Sequence, residues 1–197
     1  MDSISKKAAA YLREAGAILP EQEEAYAYTI NSILEFTAIA LAITLTAIFS
    51  KTFLSSLTIV LVVVSLRTFC GGAHTSGSFS CFIVSYLTYL LVIFLGSVLA
   101  DHFSWMILAF SFPALVFISA IGPVESGSGR LNNKKRKKYR VYLIINSCLI
   151  LTAQMIFFHR HMYCFCSIIF ITVLTVLLLQ FIQLLKQKGI SDENISR

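Results

Sequence analysis

Apolar residues run along this chain in long blocks, without the strict alternation of a half-buried strand. Six blocks rich in Leu, Ile, Val, Phe and Ala occupy residues 28–50, 52–69, 82–100, 104–122, 141–158 and 163–185, parted by polar interruptions. Each approaches the roughly 20 residues that a helix needs to cross about 30 Å of hydrocarbon. The second is the weakest, and Lys51 and Arg67 at its ends can snorkel to opposite interfaces to make it fit. The pattern predicts an all-α, polytopic membrane protein with six transmembrane helices in a single domain over residues 1–197. The short alternating segments that build an outer-membrane barrel are absent.

Ahead of the first block the pattern changes. Ile4, Ala8, Tyr11, Leu12, Ala15, Ile18 and Leu19 recur at helical spacing, with Lys6, Lys7, Arg13 and Glu14 on the other faces. Residues 1–19 therefore read as an amphipathic helix lying in the membrane interface. Pro20 suits the first position of a new helix, and Glu21, Glu23 and Glu24 suit its positive end. No continuous apolar core of a cleavable signal peptide is found between Met1 and Tyr28. Residues 189–197 read as a disordered tail.

Composition agrees with the blocks. The chain is 57% hydrophobic and only 13% charged, against roughly 25% charged residues in soluble domains. Its net charge of +6 gathers at block borders, which is the signature of topology control; nucleic acid is not an expected partner. The long loop after the fourth block carries Arg130, Lys134, Lys135, Arg136, Lys137, Lys138 and Arg140, and so belongs in the cytoplasm. Six crossings then place both termini and Arg67 on that same side. Of the 16 Lys and Arg residues, only Lys51 and Arg160 face outward. The break between the second and third blocks thus lies at the cytoplasmic face, where a thiol stays reduced.

That break holds the candidate chemistry: Arg67-Thr68-Phe69-Cys70-Gly71-Gly72-Ala73-His74, followed by Cys81. On one continuous helix His74 and Cys81 would be separated by about 10 Å of rise, too far to hydrogen-bond. Gly71, Gly72 and Gly77 favour a reversing loop instead. Ser78 or Ser80 would then cap the third span, with Cys81 in its first turn, where the helix dipole and free N–H groups favour a thiolate and a developing oxyanion. A cysteine nucleophile with a histidine base is one reading. Packing, interfacial anchoring, or a zinc site of Cys70, His74 and Cys81 are the others, the last lacking an evident fourth ligand. No metal or other cofactor is expected, and no phosphate-binding loop is present to hold a nucleotide. His159, His161, Cys164 and Cys166 match no closed zinc spacing. Glu35, an acid inside the first block, is costly in hydrocarbon and within reach of Arg67 or a bound peptide on this reading.

Arg67, Gly71, Gly72, His74 and Cys81 at these spacings, with Gly122-Pro123-Val124-Glu125, a lysine-rich stretch and Tyr139-Arg140 further on, resemble the accessory gene regulator B (AgrB) family. The resemblance extends over almost the whole chain. It implies an integral-membrane cysteine endopeptidase of quorum sensing that removes the C-terminal tail of an AgrD-like precursor peptide. An acyl-enzyme thioester then permits cyclisation to a thiolactone or lactone. By that resemblance Cys81 is the nucleophile and His74 its base, while Arg67, Gly72 and Ser78 fall where the family carries residues needed for activity. The family's precursor tails tend to be acidic, which gives the basic stretch from Arg130 to Arg140 a tail-binding or lipid-binding use. A homodimer is a further expectation. Ser126-Gly127-Ser128-Gly129 stands where the family is more polar. The contrasting class is a non-catalytic membrane scaffold or a small transporter, although paired broken helices, which mark many transporters, are missing.

Overall fold

The computed structural model of the chain describes residues 2–70, 78–100, 104–123 and 133–195. The elements are α1 (Asp2–Glu14), a 3-10 turn (Pro20–Gln22), α2 (Glu23–Phe49), α3 (Phe53–Cys70), α4 (Ser78–Ala100), α5 (Ser104–Ile121), α6 (Asn133–His159) and α7 (Tyr163–Ile195). No strand occurs among the described residues. Each apolar block falls on a helix. Among the described residues, five helices are long and apolar enough to cross a membrane. The fourth block forms α5, whose apolar stretch Trp105–Ile121 is shorter and carries Pro113 within the helix.

Several helices outrun their apolar blocks. α2 begins at Glu23, α4 at Ser78 and α6 at Asn133, and α7 continues through Gly189 to Ile195. Hydropathy marks where lipid would begin, whereas a helix continues as long as its residues favour it, and Glu, Lys and Arg are good helix formers. The lysine run expected in a loop therefore occupies the first two turns of α6. Residues 189–195, expected to be disordered, are helical. Pro20 does open a helical turn, followed by Glu23 and Glu24 in the first turn of α2.

The chain forms two compact units, Met1–Phe53 with Thr75–Leu90, and Leu54–His74 with Leu91–Arg197. In the first, α1 lies along α2. Ser5 and Ala9 are buried and Leu12 partly so, while Ile4 and Tyr11 of the predicted apolar stripe stay exposed. Small residues one turn apart allow close helix contact, so the face turned inward is not the most hydrophobic one. Arg13 Nη1 donates to Glu23 Oε2 at 2.7 Å, tying α1 to the start of α2. The Tyr86 and Thr46 hydroxyls, 2.7 Å apart, join α4 to α2.

The second unit is built around α7: half of its crossing window is buried, against 6% for α2. Val62, Leu66 and Cys70 of α3, Ala114, Leu115 and Ile118 of α5, Leu143 and Ile150 of α6, and Ile169, Val173 and Val176 of α7 form one core cluster. Phe69 meets Tyr142 and Tyr139 with ring centroids 5.4 and 6.3 Å apart, so α3 ends where α6 begins. Gln180 Nε2 donates to the Gly122 carbonyl at 2.7 Å, bringing the end of α5 to the C-terminal half of α7. One end of this unit therefore gathers the end of α3, the end of α5, the start of α6 and the later turns of α7.

Polar pairs hold these apolar helices in register. Gln154 of α6 is fully buried, and its Nε2 donates to Ser111 Oγ of α5 at 2.8 Å and to the Cys166 carbonyl of α7 at 3.1 Å. Interhelical bonds of this kind contribute about 0.6–2 kcal/mol in membrane proteins. Gln154→Leu fills the space without the donor, so its reversible unfolding in mixed micelles is expected to fall by about 1–2 kcal/mol. An unfolding free energy equal to that of the parent would rule out this joint as a source of stability.

Candidate functional site

Cys81 is the fourth residue of α4, which opens at Ser78. The described part of α4 opens with Ser78, Phe79 and Ser80, immediately before the cysteine. Ser80 is thus inside the helix and does not cap it. The earlier start follows from Ser78-Phe79-Ser80 continuing the pattern of the span instead of breaking it. The Cys81 thiol is free and partly exposed. Cys70 closes α3 fully buried in the core beside Leu66 and Ile118. Two cysteines that the residue types alone leave equivalent are therefore separated by burial: Cys70 packs, and Cys81 is accessible.

An aromatic ladder runs from this cysteine along α4. The Phe82 and Tyr86 rings stack at 6.2 Å and Tyr86 and Tyr89 at 6.1 Å. The Tyr86 hydroxyl then meets Thr46. Five residues past the nucleophile candidate, α4 is thus anchored to α2 by a hydrogen bond inside an apolar layer. Sequence reasoning missed these residues, although their i, i+4, i+7 spacing from Phe82 was a visible signal.

Arg67 lies partly buried in the last turn of α3, where a cation suits the negative end of a helix. Phe69, two residues on, carries the contact to Tyr139 and Tyr142. Two motifs about seventy residues apart in sequence thus meet at one end of the second unit. Lys134, Lys135, Arg136, Lys137, Lys138 and Arg140 are all exposed on the first two turns of α6. Lys138 Nζ lies 5.6 Å from the centre of the Tyr142 ring. His74, Gly71, Gly72 and Arg130 lie outside the described residues, and of Ser78 only its place at the helix start is described.

Two other polar groups have local partners. Glu35 Oε1 accepts from Asn31 Nδ2 at 2.8 Å, one turn earlier on α2. His161 Nδ1 and the Tyr163 hydroxyl are 2.8 Å apart in the turn between α6 and α7. No cluster of three or more His, Cys, Asp or Glu side chains that could hold a metal ion occurs among the described residues.

No curated protein and no solved structure matches the chain. Comparison with family profiles gives a match to accessory gene regulator B over residues 5–184, which takes in the Arg67–Cys81 motif, the basic turns of α6 and all of the apolar helices through most of α7. Its apolar helices make it a multi-pass membrane protein. The chain belongs to the accessory gene regulator B family, membrane proteins of the agr quorum-sensing system with a role in peptide processing.

Proposed function

We propose that this protein is a membrane cysteine endopeptidase that cleaves the C-terminal tail from an AgrD-like precursor and prepares the remaining peptide for cyclisation. The observation that carries the reading is Cys81, a partly exposed thiol outside any disulfide, in the first described turn of α4. In the mechanism the Cys81 thiolate attacks the scissile carbonyl carbon, and backbone N–H groups in the first turn of α4 serve to hold the oxyanion. His74, protonated on taking the thiol proton, returns it to the leaving amine as the C–N bond breaks. The tail departs and an acyl thioester remains on Cys81. A thiol or hydroxyl of the bound peptide then attacks that thioester, closing a thiolactone or lactone ring and releasing the Cys81 thiolate. Thioester-to-thioester exchange is close to isoenergetic, so the step needs no nucleotide.

The protein crosses the bacterial cytoplasmic membrane six times on this reading, α5 included. Both termini and the catalytic end face the cytoplasm, and α1 rests in the interface on its exposed Ile4 and Tyr11. The meeting of the ends of α3 and α5 with the start of α6 supports this topology, because the turn of α3 that carries Arg67 ends at the helix that carries the most basic stretch of the chain. Arg67, Gly71, Gly72 and Ser78 support the nucleophile. The exposed cations of α6 attract the precursor's acidic tail. They stand at the positive end of their own helix, an unfavourable placement that an anion relieves.

The test is a covalent one. Purified protein in proteoliposomes is mixed with an AgrD-like precursor, quenched in acid and mapped by mass spectrometry. The expected result is the precursor minus its tail, joined to the Cys81 peptide and released by neutral hydroxylamine. Tail release without any adduct on Cys81, or an adduct on another cysteine, would overturn the assignment.

A further inference from the structure

We propose that Gln180 is a positioning residue for the acidic segment held by α6, acting through Gly122 and Arg140; the inference rests on the tail-binding role given above to the basic turns. The last carbonyls of a helix lack partners within it, and α5 runs into Gly122 and Pro123, which are buried. Gln180, fully buried on α7, reaches across to this end: its Nε2 lies 2.7 Å from the Gly122 oxygen and 3.5 Å from that of Ile118. Arg140 Nη2 lies 3.4 Å from the Ala120 oxygen.

Gly122 joins the two. Its φ is +72°, a left-handed conformation that ends the helix and that only glycine adopts freely. A Cβ at this position would lie 3.2 Å from both Nε and Nη2 of Arg140. The guanidinium thus rests against a surface that any other residue would occupy. Gln180 fixes the Gly122 peptide, Gly122 seats Arg140, and Arg140 sets the azimuth of the helix turns bearing Lys134, Lys135, Arg136, Lys137 and Lys138. Next to Arg140, Tyr139 touches Phe69 in the Arg67–Cys70 end of α3. A buried amide of α7 therefore governs how cations on α6 are aimed relative to the motif of α3. Nothing in the apolar pattern of α7 would place Gln180 in a substrate-binding role.

The ligand that five cations on two turns recognise is an acidic peptide segment. The probe is a fluorescein-labelled glutamate-rich peptide, with its glutamine counterpart, binding to the protein in phosphatidylcholine nanodiscs at low salt. The parent is expected to bind the glutamate peptide more tightly by tenfold or more. Gln180→Met keeps the side-chain volume and loses the donor; it is expected to weaken the glutamate peptide about fivefold to tenfold and leave the glutamine peptide unchanged. Gln180→His restores an N–H at similar reach and is expected to recover most of that loss. In precursor cleavage, the Met variant is expected to raise KM and leave kcat within about twofold. If Gln180→Met binds the glutamate peptide as the parent does, or lowers thermal stability alone, Gln180 is only a packing residue and the proposal fails. If the parent itself does not distinguish glutamate from glutamine, the tail-binding reading of α6 fails first, and this inference with it. Loss of the preference only when phosphatidylglycerol is added would show that the cations serve lipid headgroups in an anionic membrane.

Discussion

Cys81→Ala is expected to release precursor tail at least about 10³-fold more slowly than the parent, with no acyl adduct formed. Removing the attacking atom leaves only whatever binding and oxyanion stabilisation contribute to attack by water, and nucleophile deletions in comparable enzymes lose more than this. His74→Ala is expected to lose about 10²–10⁴-fold. Cys70→Ala provides the contrast: that side chain is buried in the core, so its rate per folded molecule should stay near the parent's. Tail release and adduct formation measured in all three variants at several pH values decide the matter. Appreciable cleavage by Cys81→Ala, or a Cys70→Ala variant that folds and fails to cleave, would move the nucleophile elsewhere.

Gly96→Leu is expected to be the most damaging single change away from the catalytic segment. At Gly96 the second half of α4 presses against the first turns of α7: a Cβ there would lie 2.5 Å from Ile168 Cγ1 and 3.3 Å from Ile168 Cα. The near neighbours include backbone, so moving a flexible tip does not relieve the contact and the helices must separate. Small residues at membrane helix interfaces permit this closeness, and the dispersion contacts they allow replace the hydrophobic drive that lipid removes. Overpacking of this kind costs about 1–3 kcal/mol, more where backbone must shift. The Leu variant is therefore expected to show a clearly lower thermal midpoint in detergent. Gly96→Ala should show a smaller drop, and Ile168→Ala combined with Gly96→Leu a partial recovery. A Leu variant as stable as the parent would mean that the two helices are not in contact at this point.

The helices were legible because runs such as 82–100 and 163–185 satisfy a physical length requirement that little else explains. Their ends were not, because Glu23, Ser78 and Asn133 sit in polar sequence that continues a helix beyond any lipid boundary. The contact of α1 with α2 was not legible either: it is made by the small Ser5 and Ala9, while Ile4 and Tyr11 of the apolar stripe stay exposed. Cys81 and the basic residues stood out as chemistry among apolar neighbours. Gln154 and Gln180 did not, since one amide in an apolar run carries no periodicity, and its value depends on carbonyls supplied by other helices. The Phe69–Tyr139 contact is likewise a tertiary pairing that no local pattern encodes.

The length of α6 has a mechanical consequence. Its 27 residues make a rod of about 40 Å at 1.5 Å per residue, of which hydrocarbon takes about 30 Å. The basic turns are thus the handle of a lever whose shaft, from Leu143 to Ile150, is embedded in the core of the second unit. With no proline or glycine between Asn133 and His159 to act as a hinge, a torque on the handle must either roll the whole shaft against α5 and α7 or be resisted by them. A glycine pair inserted near Val141 would uncouple handle from shaft, turning a rigid transmission into a flexible tether.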